Sequence, residues 1–297
     1  MGFKDELFSF PHAKIKYDEQ MKKHTALGVG GKAKYFAEVS SLYALNSISQ
    51  LAIKYKVPYK VIGFGTNLLV SDNGYKGLII DLSKINDVFF KRDTVRAMAG
   101  ASVEKLIRFT LEHRLSGVES LSGIPATVGG AVVMNAGAFG HNISDCIETV
   151  ETLKDGKLKI YDKDECKFGY RTSRFFGKKE IVVSASFKFK KRDKESLFSS
   201  VKSFGELRRS IQPVGRSCGS VFKNPVNKSA GALIDKANLK GLSVGGAKIS
   251  EKHGNFIIAN QRATAMDVYN LIKTIKMKIK DEFNVDLVEE VEFVGEF

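Results

Sequence analysis

Residues 122–140 read Ser-Gly-Ile-Pro-Ala-Thr-Val-Gly-Gly-Ala-Val-Val-Met-Asn-Ala-Gly-Ala-Phe-Gly, with glycines at 123, 129, 130, 137 and 140. Glycine gives up more conformational entropy on ordering than any other residue. Such density therefore marks backbone that must take a positive φ or approach something closely. A second segment lies upstream at residues 61–70, Val-Ile-Gly-Phe-Gly-Thr-Asn-Leu-Leu-Val, an apolar run broken by Gly63, Gly65 and Asn67. Two glycine loops fed by apolar residues point to a single large phosphorylated cofactor, a dinucleotide held between them. The first loop is not a Rossmann fingerprint. After Gly63-x-Gly65 comes Leu68 where a third glycine would open a helix, and the chain returns to extended apolar sequence.

At 297 residues the chain has room for two or three domains. Its 43% hydrophobic and 27% charged residues are ordinary for a globular protein. No apolar run approaches the ~18 residues of a membrane span. The opening Met-Gly-Phe-Lys-Asp-Glu lacks an apolar signal core, so the expectation is a cytoplasmic protein with no membrane attachment. Cys146, Cys166 and Cys218 are odd in number and form no C-x-x-C pair, which fits reduced thiols. His12, His24, His113, His141 and His253 are scattered, so no metal site is expected. The net charge of +14 admits nucleic-acid binding, a solvated lysine-rich surface, or attraction of polyanionic small molecules. The third reading is preferred, because the glycine loops already call for a phosphorylated ligand. The one dense basic run, residues 188–194, reads as a strand end followed by an exposed connection.

Periodicity assigns a helix to 41–56, where Leu42, Leu45, Ile48, Leu51, Ala52 and Tyr55 recur at helical spacing before Pro58. Strands are expected at 59–62 and 78–82, then at 95–99, 148–153 and 181–189, with a helix near 103–113. Pro213 and Gly215 mark a boundary. A helix near 231–237 and a strand at 255–259 follow. The clearest helix starts at Thr264, with Asp267 in capping-box position and a stripe of Val268, Leu271, Ile272, Ile275, Ile279 and Phe283. A last strand is expected over 286–294. The pattern is α+β with three small domains.

Six motifs occur in a fixed order. They are His-Thr-Ala-Leu-Gly-Val-Gly-Gly at 24–31, the two glycine loops, Tyr-Arg-Thr-Ser-Arg-Phe at 170–175, Gly-Ser-Val-Phe-Lys-Asn-Pro at 219–225, and Leu-Val-Glu-Glu-Val-Glu-Phe-Val-Gly at 287–295. Together they resemble the MurB family of UDP-N-acetylenolpyruvoylglucosamine reductases, over nearly the whole chain. The resemblance implies a bacterial cell-wall flavoenzyme. It uses NADPH and non-covalent FAD to reduce an enolpyruvyl ether on a UDP-sugar, giving UDP-N-acetylmuramate. It also implies the FAD-binding fold shared with vanillyl-alcohol oxidase and p-cresol methylhydroxylase. Residues 1–82 and 83–207 would form two α+β FAD-binding subdomains, and 208–297 an α+β substrate domain. Only a short stretch separates Arg171 from Ser220, where some members carry a longer insertion with a tyrosine loop. The chain resembles the shorter subtype, so no lid tyrosine is assigned, and a monomer is expected.

The reaction needs a hydride delivered to the enol ether, a cation or donor aimed at the charge that develops on the substrate carboxylate, and a proton for the adjacent carbon. By resemblance Arg171 is the fixed cation, Ser220 the proton donor, and a glutamate in the last motif the partner of the carboxylate. Strand alternation makes Glu289 the odd polar member of the row Leu287, Glu289, Val291, Phe293. The family motif places its glutamate directly before the valine, which selects Glu290. Burial can raise a carboxyl pKa enough to keep such a group protonated. Gly63, Gly65, Thr66, Asn67 and Leu68 resemble the first pyrophosphate loop, with backbone N–H groups forming an anion nest. Gly123, Ile124, Pro125, Val128, Gly129, Gly130, Asn135, Ala136 and Gly137 resemble the second. Ala126 stands where some members have glycine. Asn224 and Arg208 resemble substrate contacts. Cys218 competes for an acid or nucleophile role, but only Arg216 nearby could activate it, so a buried inert thiol is expected. Two other readings were weighed: an alcohol- or hydroxy-acid-oxidising flavoenzyme of the same fold, and a basic nucleic-acid-binding protein.

Overall fold

The computed structural model describes residues 2–10 and 13–297. Among these residues are seven α-helices: α1 (Phe3–Phe8), α2 (Leu42–Lys54), α3 (Val103–Glu112), α4 (Val128–Met134), α5 (Lys194–Ile211), α6 (Ala230–Lys236) and α7 (Ala265–Phe283). Hydroxyl caps start most of them. Ser41, Ser102, Thr127, Ser229 and Thr264 each accept a backbone N–H three residues on, supplying acceptors that the first helical turn lacks. The chain forms two compact, interleaved units. One comprises Met1–Lys16, Phe36–Gly63 and Gly77–Arg208; the other comprises Tyr17–Tyr35, Phe64–Lys76 and Arg209–Phe297.

The first unit holds a five-stranded antiparallel sheet in the order Lys157–Asp162, Ile147–Lys154, Ile181–Phe187, Thr94–Met98, Val88–Lys91. Register aligns Tyr161, Val150, Ala185 and Ala97 across it. With the helix residues Val103, Leu106, Ile107, Val128, Ala131 and Val132, this row forms the unit's apolar core. The opposite face carries Arg96, paired with Glu151, which also accepts from Ser184. Strand Tyr59–Ile62 pairs in parallel with Tyr75–Asp81 in a second sheet, which strands Ala13–Gln20 and Lys32–Val39 complete.

The second unit packs α6 and α7 on Phe222, Leu287 and Val291. The expected stripe of α7 is buried at Val268, Leu271, Ile272, Ile275 and Ile279. Thr264 and Asp267 form the expected capping box, and the Asp72 carboxylate accepts the N–H groups of Ala265 and Met266. Short strands Ser243–Val244, Ala247–Ile249 and Ile257–Ala259 form an antiparallel sheet, and Glu292–Val294 pairs in parallel with Leu68–Val70.

The structure departs from or adds to the sequence reading at four places. Helix α5 begins at Lys194, the end of the run read as a strand end and connection, and extends through residues to which no element was assigned; of its 18 residues only Leu197, Gly205 and Arg208 are buried. The middle of the second glycine segment is helical. Gly129 and Gly130 sit in α4 despite poor propensity, because the Thr127 cap and the burial of Val128, Ala131 and Val132 outweigh it. The strands Ala13–Gln20 and Lys32–Val39 carry too many charged residues to alternate cleanly. The last strand is Glu292–Val294, not 286–294. Upstream of it, Glu289 makes only an isolated bridge with Phe222.

Candidate functional site

In the first unit the second glycine segment is fastened to the Tyr-Arg-Thr-Ser motif at three successive points. Ser173 Oγ donates to Val133 O at 2.7 Å, Asn135 Nδ2 to Gly169 O at 2.9 Å, and an Arg171 guanidinium N–H to Gly137 O at 2.9 Å. Arg171 has φ 52° and stands 5.4 Å from the ring centroid of half-exposed Tyr170. Arg208, on α5, approaches the start of the same segment. Its Nε donates to Ser122 O at 2.8 Å and a terminal N–H to Ser120 O at 3.1 Å. Its guanidinium lies 5.2 Å from the Phe139 ring, which stacks on Phe204. Burial, and then the charge of Arg171, pull the Arg208 pKa below its ordinary value. Two cations thus face the same glycine segment.

The glycines there differ in what they meet. A side chain at Gly63 would strike Thr127 Oγ1 at 2.2 Å, the cap of α4. At Gly129 it would meet Ala99 Cβ at 2.8 Å, because the 128–129 backbone bonds directly to Ala101 O and Ala99 O. At Gly130 the nearest atom is Thr127 Oγ1 at 3.4 Å, ordinary contact, so the protein's own packing does not demand glycine. Asn135 closes α4 in the left-handed region, and its Oδ1 is buried with no hydrogen-bond partner among the described residues.

The second unit contains Ser220, Glu290 and most of the first loop. Two neighbouring segments hold the Ser220 segment, and a third holds Glu290. On one side Ser220 bridges Phe256, Val221 N–H donates to Asn255 O at 2.9 Å, and the Asn255 side chain takes Phe222 N–H and gives to Phe222 O at 2.9 and 2.8 Å. On the other side Glu290 N–H donates to Val221 O and Lys223 N–H to Val288 O, both at 2.8 Å. Asn67 Nδ2 donates to Glu290 O at 2.9 Å. Gly65 has φ 61°, and a Cβ there would stand 1.9 Å from His24 O.

These contacts separate the two glutamates. Glu289 is ion-paired at 2.6 Å with Lys276 of α7. The Cys218 thiol is pushed up to about 12 by burial, against a smaller downward pull from a backbone hydrogen bond, with a still smaller upward contribution from Glu290. Cys218 is buried, as expected, and inert as a nucleophile. Next to Ser220, Gly219 has φ 76° and no atom within 4 Å of the position its Cβ would take, so the backbone beside the hydroxyl is open. Asn224 Oδ1 accepts Ala230 N–H at 3.0 Å, committing part of that side chain to the start of α6. The structure thus draws Ser220, Glu290 and Asn67 together in one unit, and Arg171, Arg208, Asn135 and Gly137 together in the other. Asn255 and Lys276 were not foreseen. Their partners lie far along the chain, and no local motif marks them.

The second segment fits a flavin dinucleotide. Gly130 leaves room the protein does not fill, and Asn135 Oδ1 is a buried acceptor that an N–H or hydroxyl of the cofactor would satisfy. Among the described residues no helix is long and apolar enough to cross a membrane, and no cluster of His, Cys, Asp and Glu could hold a metal.

Comparison with known proteins agrees with this geometry. Residues 33–160 match the family described as FAD binding domain, and residues 212–294 match the C-terminal domain of UDP-N-acetylenolpyruvoylglucosamine reductase. The chain is 40% identical to the UDP-N-acetylenolpyruvoylglucosamine reductase of Caldanaerobacter subterraneus subsp. tengcongensis, over 95% of this chain and 94% of that one. The crystal structure of the corresponding enzyme from Thermus caldophilus is 36% identical. It superposes with a TM-score of 0.82, covering 96% of this chain and all of that one. Glucooligosaccharide oxidase from Acremonium strictum, at 12% identity and a TM-score of 0.52 over 97% of this chain and 61% of that one, shares the fold alone. The α+β architecture is therefore the FAD-binding fold of the vanillyl-alcohol oxidase/p-cresol methylhydroxylase type with a C-terminal α+β domain. The chain belongs to the UDP-N-acetylenolpyruvoylglucosamine reductase family of FAD-dependent oxidoreductases.

Proposed function

We propose that the protein reduces UDP-N-acetylglucosamine enolpyruvate to UDP-N-acetylmuramate with NADPH as hydride source, supplying a peptidoglycan precursor in the cytoplasm and so serving cell shape and division. The observation that carries this reading is the pairing of the Ser220 and Glu290 backbones through Val221. It sets a hydroxyl and a carboxyl on adjacent segments, with the inert Cys218 behind them. FAD, when bound, supplies the hydride it has taken from NADPH.

The residues of this chain do the rest. Gly63, Gly65, Thr66, Asn67 and Leu68, through their backbone N–H groups, with Gly123, Ile124, Pro125, Val128, Gly129, Gly130, Asn135, Ala136 and Gly137, hold the cofactor. Hydride addition to the enolpyruvyl group pushes an electron pair towards the carboxylate. Arg171 stabilises that charge, its guanidinium pre-oriented by Gly137 O, so little reorganisation is needed as the charge develops. Glu290 shares a proton with the resulting enediolate, and the Ser220 hydroxyl delivers the proton that completes the lactyl ether. Arg208 and Asn224 contact the UDP-sugar. We further assign 1–82 and 83–207 to the two cofactor subdomains and 208–297 to the substrate domain. The separate family matches over 33–160 and 212–294 support the boundary near 208. The protein acts as a monomer on small molecules, not on nucleic acid or membranes.

An anaerobic absorption experiment tests the reading. NADPH should bleach the flavin bands of the purified protein, and the UDP-enolpyruvyl sugar should then restore them. Bleaching that the sugar cannot reverse would overturn the substrate assignment. Reduction by an alcohol but not by NADPH would favour an oxidase of the same fold.

A further inference from the structure

We infer that Asn67 is a positioning residue for Glu290, and that its side chain serves the acid–base site instead of the cofactor. The inference rests on the reading above, in which Glu290 partners the substrate carboxylate.

Asn67 immediately precedes strand Leu68–Val70, which runs parallel to Glu292–Val294 with Glu292 opposite Leu68. Its backbone carbonyl accepts Glu292 N–H at 2.9 Å, which continues the ladder. Its side-chain Nδ2 donates to Glu290 O at 2.9 Å, adding one more rung beyond the end of the strand. Glu290 lies where its segment changes partners. Glu289 still bridges Phe222, while Glu292 already pairs with Leu68. At that switch no regular sheet holds the backbone. The Glu290 residue is instead held at both ends, its N–H by Val221 O at 2.8 Å and its C=O by Asn67. These two bonds fix the backbone on either side of the Cα and so the direction of the Cα–Cβ bond. One anchor belongs to the Ser220 segment and the other to the first glycine loop. Remove the amide donor and one end of the residue loses its tether. An acceptor in its place faces the carbonyl with like partial charge. Misplacing a reacting group by about 1 Å costs on the order of a hundredfold in rate.

The test uses the full-length flavoprotein. Asn67→Asp is isosteric but replaces the donor, and Asn67→Ser is the fallback should the carboxylate prevent folding. Three quantities are measured: FAD affinity by titrating the apoprotein and following flavin fluorescence, anaerobic reduction by NADPH, and reoxidation by the UDP-enolpyruvyl sugar. Asn67→Asp adds a negative charge to the first glycine loop, so its FAD affinity should fall, while at saturating FAD the reduction by NADPH should stay near its native rate. The saturating reoxidation rate should fall by roughly tenfold to a hundredfold, with the half-saturating sugar concentration unchanged. In a cycle with Glu290→Gln, the double variant should be no slower than Glu290→Gln alone. Additive losses, or weakened FAD binding with native reoxidation per bound flavin, would overturn the inference. If Glu290→Gln itself reoxidises at the native rate, the assignment of Glu290 fails and the inference with it. If Glu290→Gln is crippled and Asn67→Asp is not, only the inference fails.

Discussion

The two units fix their candidate catalytic groups by different means. In one, Arg171 and Arg208 are anchored through their side chains, whose guanidinium N–H groups bond to Gly137 O, Ser122 O and Ser120 O. In the other, Ser220 and Glu290 are anchored through their backbones, by Asn255, Val221 and Asn67. The difference follows from side-chain length. A free arginine carries about 2 kcal/mol of rotamer entropy, so a guanidinium points in one direction only if some of its five donors are already bound. Serine has a single rotamer angle, so a fixed peptide leaves its oxygen only three staggered positions, while for the longer Glu290 the backbone anchors fix the Cα–Cβ direction and not the carboxylate.

Several substitutions can break or sharpen that contrast. Ser220→Ala leaves the backbone anchors intact and should have the largest effect. Flavin reduction by NADPH should persist while turnover of the sugar falls by roughly 10²–10⁴. Equal loss of both half-reactions would show that Ser220 shapes the flavin site instead. Next, Arg171→Lys keeps the charge, but one ammonium cannot both hold Gly137 O and face a carboxylate with a planar fork. A loss of about a hundredfold in sugar turnover is expected, and near-native turnover would mean the anchoring is dispensable. Glu290→Gln should slow sugar turnover by about a hundredfold. Glu289→Gln, which removes only a partly exposed pair with Lys276, should cost less than about 1 kcal/mol of stability in denaturant unfolding and leave the rate alone. The reverse order would favour Glu289.

Smaller effects are expected at the glycines. Gly65→Ala places a Cβ against His24 O at a positive φ and should cost about 2 kcal/mol in thermal or denaturant unfolding of the apoprotein. Gly130→Ala meets no obstacle in the protein and improves helix propensity in α4, so apoprotein stability should hold or rise by up to ~1 kcal/mol. FAD binding should nevertheless weaken by about tenfold if that space belongs to the cofactor. Unchanged FAD affinity would place the cofactor elsewhere.

Much of this was legible in the sequence. The glycine segments, the α7 stripe with its Thr264 cap, the buried Cys218 and the family motifs all rest on signals within a few residues of one another. No element was expected at α5, whose three buried residues include a glycine and an arginine, or at Lys32–Val39, where charged residues interrupt alternation. Alternation over 286–294 also failed at the end of the chain, where the strand is three residues and Glu289 pairs with Lys276.

What the sequence determined by itself was the family and the fold type, together with a short list of candidate site residues. Local glycine geometry and side-chain type depend on neighbours in the chain. Only the tertiary structure decided which glycines the protein's own packing requires and which it leaves open. It alone separated Glu289, held by a helix, from Glu290, held between the serine segment and Asn67. Those outcomes depend on contacts such as Asn67 with Glu290 and Arg208 with Ser122, between residues far apart in sequence. No spacing rule along one chain encodes a hydrogen bond that forms only after both segments have packed against a common core.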